Sequence, residues 1–168
     1  MDSLRDMLIP QFLEISPLRV YALASRWGFE EEAKIASTRT LQIDMFNELS
    51  GEDAELMGAA ACLQLSRLHS NRREAARVLI TNHRLPSPTP FSTGHGYCRC
   101  DVQNYSRLTQ ALSQHVARTP WVTVGELYEV AIWGPPKKCS ATCRNVFENM
   151  HRYFTSLLKG ISELPRTI

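Results

Sequence analysis

Apolar positions along this chain recur at spacings of three and four, the period of helices, in several separated stretches. Val20, Leu23, Ala24 and Trp27 stand at i, i+3, i+4 and i+7 and fall on one helical face. Ser16-Pro17 marks the start of that helix. Serine can cap free N–H groups, and proline at the first helical position gives up only a hydrogen bond that is not made there. Gly28 stops the helix, because glycine tolerates the left-handed conformation used just past a helix end. Glu30, Glu31 and Glu32 open the next segment, where the positive end of a helix dipole favours carboxylates. Ala33, Ala36 and Thr40 give that segment a small-residue face, which lets two helices approach closely. The pattern predicts a tight helical hairpin over residues 17–42. If Leu23 and Trp27 are fully buried there, cutting either to alanine costs about 2–5 kcal/mol.

Further along, Ser50-Gly51-Glu52-Asp53 has the form of a capping box and opens a long helical region. Leu56, Ala60 and Leu63 lie along one face of it, and Ala61, Leu65 and Leu68 along the neighbouring one. Ser70-Asn71 is the expected break, Ala75, Ala76, Leu79 and Ile80 resume the stripe, and Asn82-His83 ends it. From Arg84 to Gly96 prolines, serines, threonines and glycines crowd together, the composition of a loop. Tyr105, Leu108, Leu112 and Val116 then form an amphipathic helix that stops at Thr119-Pro120. Thr123-Val124-Gly125-Glu126 caps a shorter helix with Val122 and Leu127 as a hydrophobic staple, and Gly134-Pro135-Pro136 terminates it. The last helix is the clearest: Phe147, Met150, Phe154, Leu157 and Ile161 share a face, Arg144, Glu148, Arg152 and Lys159 fall elsewhere, and Leu164-Pro165 closes it.

No run alternates long enough to make a strand, and no internal repeat is present. The expected fold is all-α, a bundle of about six to seven helices with a Pro-rich loop in the middle. Residues 1–83 make the hairpin and long helical region, 84–100 the Pro/Ser/Gly-rich loop, and 101–168 a second helical region packed with the first as one domain. A length of 168 residues with 43% hydrophobic content suits one compact unit. Such a chain buries about 70% of the surface its unfolded form exposes, so its core needs no metal or disulfide staple and no cofactor. Nineteen Lys and Arg against 17 Asp and Glu give a formal net charge of +2, far from the balance of a dedicated nucleic-acid or membrane-surface binder. The acidic start Met1-Asp2-Ser3-Leu4-Arg5-Asp6 is unlike a secretory signal, and no apolar run reaches membrane-spanning length. With an odd count of five cysteines, the expectation is a cytoplasmic or nuclear protein with reduced thiols.

The familiar catalytic motifs are absent: there is no P-loop, no GxGxxG after a strand, no GxSxG elbow and no HExxH. His69, His83, His95, His115 and His151 have no neighbouring nucleophile or acid in a recognisable pattern, and no residue is assigned a catalytic, cofactor-binding or metal-binding role. Arg67, Arg72, Arg73, Arg77 and Arg84 make the middle of the chain locally basic, which reads as a solvated helix face with Glu74 as its neutraliser. The cysteines allow one alternative. Cys98 and Cys100 flank an arginine, and Cys139 and Cys143 are four apart, so four thiolates, with His95 as a substitute ligand, could form a tetrahedral zinc site between loop and final helix. Neither pair has the usual C-x2-C spacing. An enzyme of unrecognised type is the remaining alternative.

The stretch PLRVYALASRWGFEEEAKIAS at 17–37 resembles the last helical hairpin of BTB/POZ domains, most closely in their fungal versions. There an apolar residue, alanine and Tyr/Trp-Gly recur at the spacing of Tyr21, Ala24, Trp27 and Gly28, followed by an acidic turn and a second helix. Phe12-Leu13 extends the likeness, and the later helices resemble more distantly the helical extension that follows the BTB fold. What the resemblance covers is the end of such a domain, since the strands and dimer surface of its N-terminal half have no counterpart before Pro17. It implies a non-catalytic protein–protein interaction or scaffolding module. Its implied partners are other proteins, such as a cullin-type ubiquitin ligase or a chromatin complex, with no nucleic acid and no membrane involved.

Overall fold

A computed structural model describes residues 8–82, 100–122 and 142–168, with side chains at 10–82, 109–122 and 152–168. Every regular element among the described residues is helical. A π-helical turn, Leu8–Phe12, precedes α1 (Pro17–Trp27), α2 (Glu30–Thr40), the single turn α3 (Met45–Glu48), α4 (Gly51–Asn82), α5 (Cys100–Arg118) and α6 (Thr142–Ser162). The fold is therefore all-α, as the helical periodicity predicts. The Pro-rich loop and the capped short helix after Val122 lie outside the described residues.

The hairpin forms as its punctuation requires. Pro17 occupies the first turn of α1, and Gly28 ends it at φ 70° and ψ 27°. The Phe29 N–H donates to the Ala24 carbonyl at 2.8 Å and the Gly28 N–H to the Ser25 carbonyl at 3.4 Å, which satisfies carbonyls that the last turn leaves open. Ser16 caps through its backbone rather than its hydroxyl, which makes no capping hydrogen bond. On α2 the small face does what its residues suggest: Ala36 and Thr40 are buried and Ala33 half-buried against α1.

Three expectations are corrected. First, Trp27 is 53% exposed and Leu23 only half-buried, whereas Leu18, Val20, Tyr21, Ala22 and Ala24 are buried. The reason is that α1 packs on α2 and on α4 at once, so two faces are covered and a one-face stripe does not describe it. Second, α4 runs straight through Ser70-Asn71, where both side chains are exposed and polar residues leave the helix intact. Its interruption lies at Gly58, with φ 75° and ψ 162°. Third, that interruption shifts the helical phase, so Leu56, Ala60 and Leu63 do not form one buried face. Leu63 is 51% exposed.

The start of α4 is fixed as anticipated. The Ser50 hydroxyl accepts from the Asp53 N–H at 3.0 Å and donates to the Asp53 carboxylate at 2.7 Å. Arg19 on α1 reaches the same carboxylate at 2.9 Å and Glu52 at 3.1 Å. The cap thus also docks α4 on α1, and the Tyr21 hydroxyl adds a hydrogen bond to the Ala61 carbonyl at 3.2 Å just beyond Gly58.

Two apolar clusters result. The first joins Leu13, α1, α2, Leu41, Met45 and the α4 residues Met57, Leu65 and Leu68. The second joins Ala76 and Ile80 of α4 with Leu112 and Val116 of α5 and Tyr153, Phe154, Leu157 and Ile161 of α6. Gly160 faces Leu79, where an added Cβ would meet Leu79 side-chain carbons at 3.6 Å, an ordinary contact. No helix among the described residues is long and apolar enough to cross a membrane.

Gly58→Ala tests the account of α4. Beyond its chain neighbours and the backbone of its own helix, no atom lies within 4 Å of an added Cβ, so the cost is that of the backbone conformation. Urea unfolding is expected to show a loss of about 1–3 kcal/mol; a loss below about 0.5 kcal/mol would mean that position 58 does not need glycine.

Candidate functional site

Between the two apolar clusters, one turn of α4 carries the most unusual side chains of the molecule. His69 and Arg72 are both buried, at 0% and 2% exposure. The sequence places the arginine run on a solvated helix face, and that holds for Arg77, whose guanidinium meets the Glu74 carboxylate at 2.7 and 2.9 Å on the surface. It fails for Arg72.

Arg72 donates only to backbone carbonyls: Nε to Pro120 at 2.9 Å, Nη1 to Leu164 at 2.6 Å and Pro165 at 2.8 Å, and Nη2 to Ile161 at 2.8 Å. A buried cation is tolerable when its fork is filled, and the fixed geometry of a guanidinium suits several carbonyls at once. The acceptors belong to the end of α6 and to the segment just after α5. Arg72 therefore supplies the partners that a helix C-terminus lacks, with a positive charge at the negative end of its dipole. Its guanidinium also lies 5.2 Å from the Trp121 ring centroid, and Arg166 lies 5.1 Å from the same ring. Burial, and then the nearby Arg166 charge, lower the Arg72 pKa to about 10, so it stays charged at neutral pH.

His69 is fixed by a chain of donors. The Thr40 hydroxyl gives its one proton to the Ser37 carbonyl at 2.7 Å, so at 3.1 Å His69 Nε2 must be the donor to Thr40. Nδ1 is then a buried lone pair without a hydrogen-bond partner. Burial, followed by the charge of Arg73, pushes the His69 pKa down to about 4, against a smaller opposite pull from Asp44. Arg73 itself stands over the Phe46 ring at 5.3 Å.

Other residues singled out from the sequence are dispersed. His115 is half-buried at the exit of α5, its Nε2 3.1 Å from the Trp121 carbonyl and 3.0 Å from the Thr119 hydroxyl. The side chains of His83, His95 and His151 lie outside the described residues. So do those of Cys98, Cys100, Cys139 and Cys143, although Cys100 opens α5 and Cys143 falls in the first turn of α6. Cys62 is a free thiol, half-buried on α4. Among the described residues no group of three His, Cys, Asp or Glu is placed to hold a metal ion. The arrangement around Arg72 binds backbone carbonyls.

Large apolar side chains also remain in solvent around the hairpin: Ile15 at 80%, Trp27, Phe12 and Ile35. No family model matches the chain, and no curated protein or solved structure matches it either.

Two predictions follow from this geometry. Arg72→Ala removes a donor from four carbonyls, of which that of Ile161 keeps the Leu164 N–H, and should lower stability by about 3 kcal/mol or more, whereas Arg77→Ala should leave the melting temperature unchanged; equal effects would contradict the assignment. For His69, the unfolded imidazole keeps its ordinary pKa of 6.5 while the folded one titrates near 4. The unfolded state therefore binds more protons between these values, and stability rises with pH. That contribution, about 3 kcal/mol, is complete above pH 6.5 and is lost as the pH falls through about 4. His69→Gln should remove this slope from a pH series of denaturation curves, and an unchanged slope would assign it to other groups.

Proposed function

We propose that this chain is a non-catalytic protein–protein interaction module, of the kind represented by the last hairpin of a BTB/POZ domain and its helical extension. The observation that carries the reading is Trp27: it ends α1 beside the left-handed Gly28, in the Tyr/Trp-Gly position of the BTB-like pattern, and is 53% exposed. An indole left in water at the tip of a hairpin whose inner face is fully packed suits recognition, since aromatic side chains dominate protein interfaces. Exposed Phe12, Ile15 and Ile35 extend the apolar character of the same hairpin. The partner class, by resemblance, is a cullin-type ubiquitin ligase or a chromatin complex. The setting that resemblance suggests is the cytoplasm or nucleus.

The test is affinity capture from extract of the source cells, comparing the wild type with Ile15→Glu/Trp27→Glu. Both side chains are exposed, so the variant should keep its helical circular dichroism and melting temperature. Loss of a captured protein by tenfold or more, with capture unchanged by Arg77→Ala, is the expected result. Identical captured sets for all three proteins would overturn the reading.

A further inference from the structure

Two of the four carbonyls that fill the Arg72 fork, those of Leu164 and Pro165, come from the segment that follows α6, and that segment does more than end the helix. Leu164 packs on the second apolar cluster. Arg166 reaches the Trp121 ring with its guanidinium, and its carbonyl accepts from the Thr38 hydroxyl of α2 at 3.1 Å. Residues 161–166 thus touch the hairpin, the middle of α4 and the exit of α5 in succession. Arg72 sits in α4 between Leu68, the last α4 residue of the first cluster, and Ala76, the first of the second. Trp121 packs against the first cluster, while its neighbour Val122 packs against the second. Besides α4 itself, the junction between the two clusters is therefore polar and made largely of one arginine and this strap.

We propose that residues 164–168 are an intramolecular strap seated in a backbone-reading site formed by Arg72, Trp121 and Thr38, and that release of the strap loosens α6 on α4 while the hairpin stays folded. The physical basis is the kind of bond involved. Arg72 recognises main-chain carbonyls at fixed spacing, so the site accepts an extended segment by its backbone and is indifferent to most side chains. Its occupant is held by directional hydrogen bonds and by Leu164 on the edge of the second cluster, so loss of the segment weakens the second cluster without removing any residue of the first. An emptied site is a guanidinium beside an indole, ready to accept the same backbone from outside.

Amide hydrogen exchange on the intact protein and its variants tests this. Arg72→Lys keeps the charge but loses the fork, and Thr38→Ala removes the hydroxyl that the Arg166 carbonyl shares with the Lys34 carbonyl of the same helix. In both, amides of α6 from Tyr153 to Ser162 should exchange faster, by tenfold or more for Arg72→Lys and less for Thr38→Ala, while those of α1 and α2 stay within twofold. The chain ending at Glu163, in which Arg72 keeps only the Pro120 and Ile161 carbonyls, should accelerate α6 in the same direction. Adding a synthetic peptide of residues 162–168 at about millimolar concentration, the level a short tether supplies in cis, should restore its α6 protection. The same peptide should have no effect on Arg72→Lys. Acceleration of the hairpin and α6 by the same factor would show one cooperative unit and overturn the proposal, as would unchanged α6 exchange in Arg72→Lys. Should the shortened chain fail to fold, the two full-length variants still decide.

Discussion

A single buried guanidinium holds the two halves of this molecule in register. Arg72 has no carboxylate among its hydrogen-bond acceptors; its charge is balanced by four backbone carbonyls from segments 48 to 93 residues away in sequence. Those carbonyls lie at the end of α6, just beyond it and at the exit of α5, where regular helical hydrogen bonding stops, and that of Ile161 also accepts from the Leu164 N–H at 3.3 Å. Burying the charge costs desolvation, and leaving the carbonyls dry costs as well, so each deficit removes the other. The arrangement also fixes geometry: the fork admits α6 and the exit of α5 in one position relative to α4, which then determines how Leu157 and Ile161 meet Ala76 and Ile80.

The hairpin half is built on different physics. Its helices are short, and their stability comes from close approach over alanines and from sharp, well-satisfied ends at Gly28 and Ser50. Gly58 lets one chain serve both halves. Its backbone conformation turns the first part of α4 onto α1, where Asp53 meets Arg19, and sends the remainder on as the axis for α5 and α6. His69 records the same crowding from the other side, a neutral imidazole held against Thr40 with one nitrogen unsatisfied. Residues that the fold forces into such positions are where acid or substitution should be felt first.

Much of this was legible in the amino-acid order, and what was not has a common cause. Helices over 17–27, 30–40 and 142–162 follow from spacing and from punctuation by Pro17, Gly28 and Leu164-Pro165, all local signals. The capping of α4 by Ser50 and Asp53 is local too. Trp27 misled because α1 is apolar on nearly every side and the periodicity could not choose which faces two neighbours would cover. Gly58 carries no signal inside a run of helix formers such as Ala59, Ala60 and Ala61. Arg72 looks like its neighbours Arg73 and Arg77, because backbone carbonyls from distant segments leave no trace in the sequence. Polar residues buried by tertiary partners are the class of position that composition and period cannot reveal.

A polar junction between two apolar clusters joins the halves of this molecule through a few directional contacts. The claim on which this depends is that Arg72 is a charged, fully engaged guanidinium at neutral pH. Nitrogen-detected NMR of the arginine side chains measures that directly. The account predicts that Arg72 shows separate, slowly exchanging Nη–H resonances at neutral pH, distinct from the averaged signal of solvent-exposed Arg152. An Arg72 signal averaged and exchanging like that of Arg152 would contradict it.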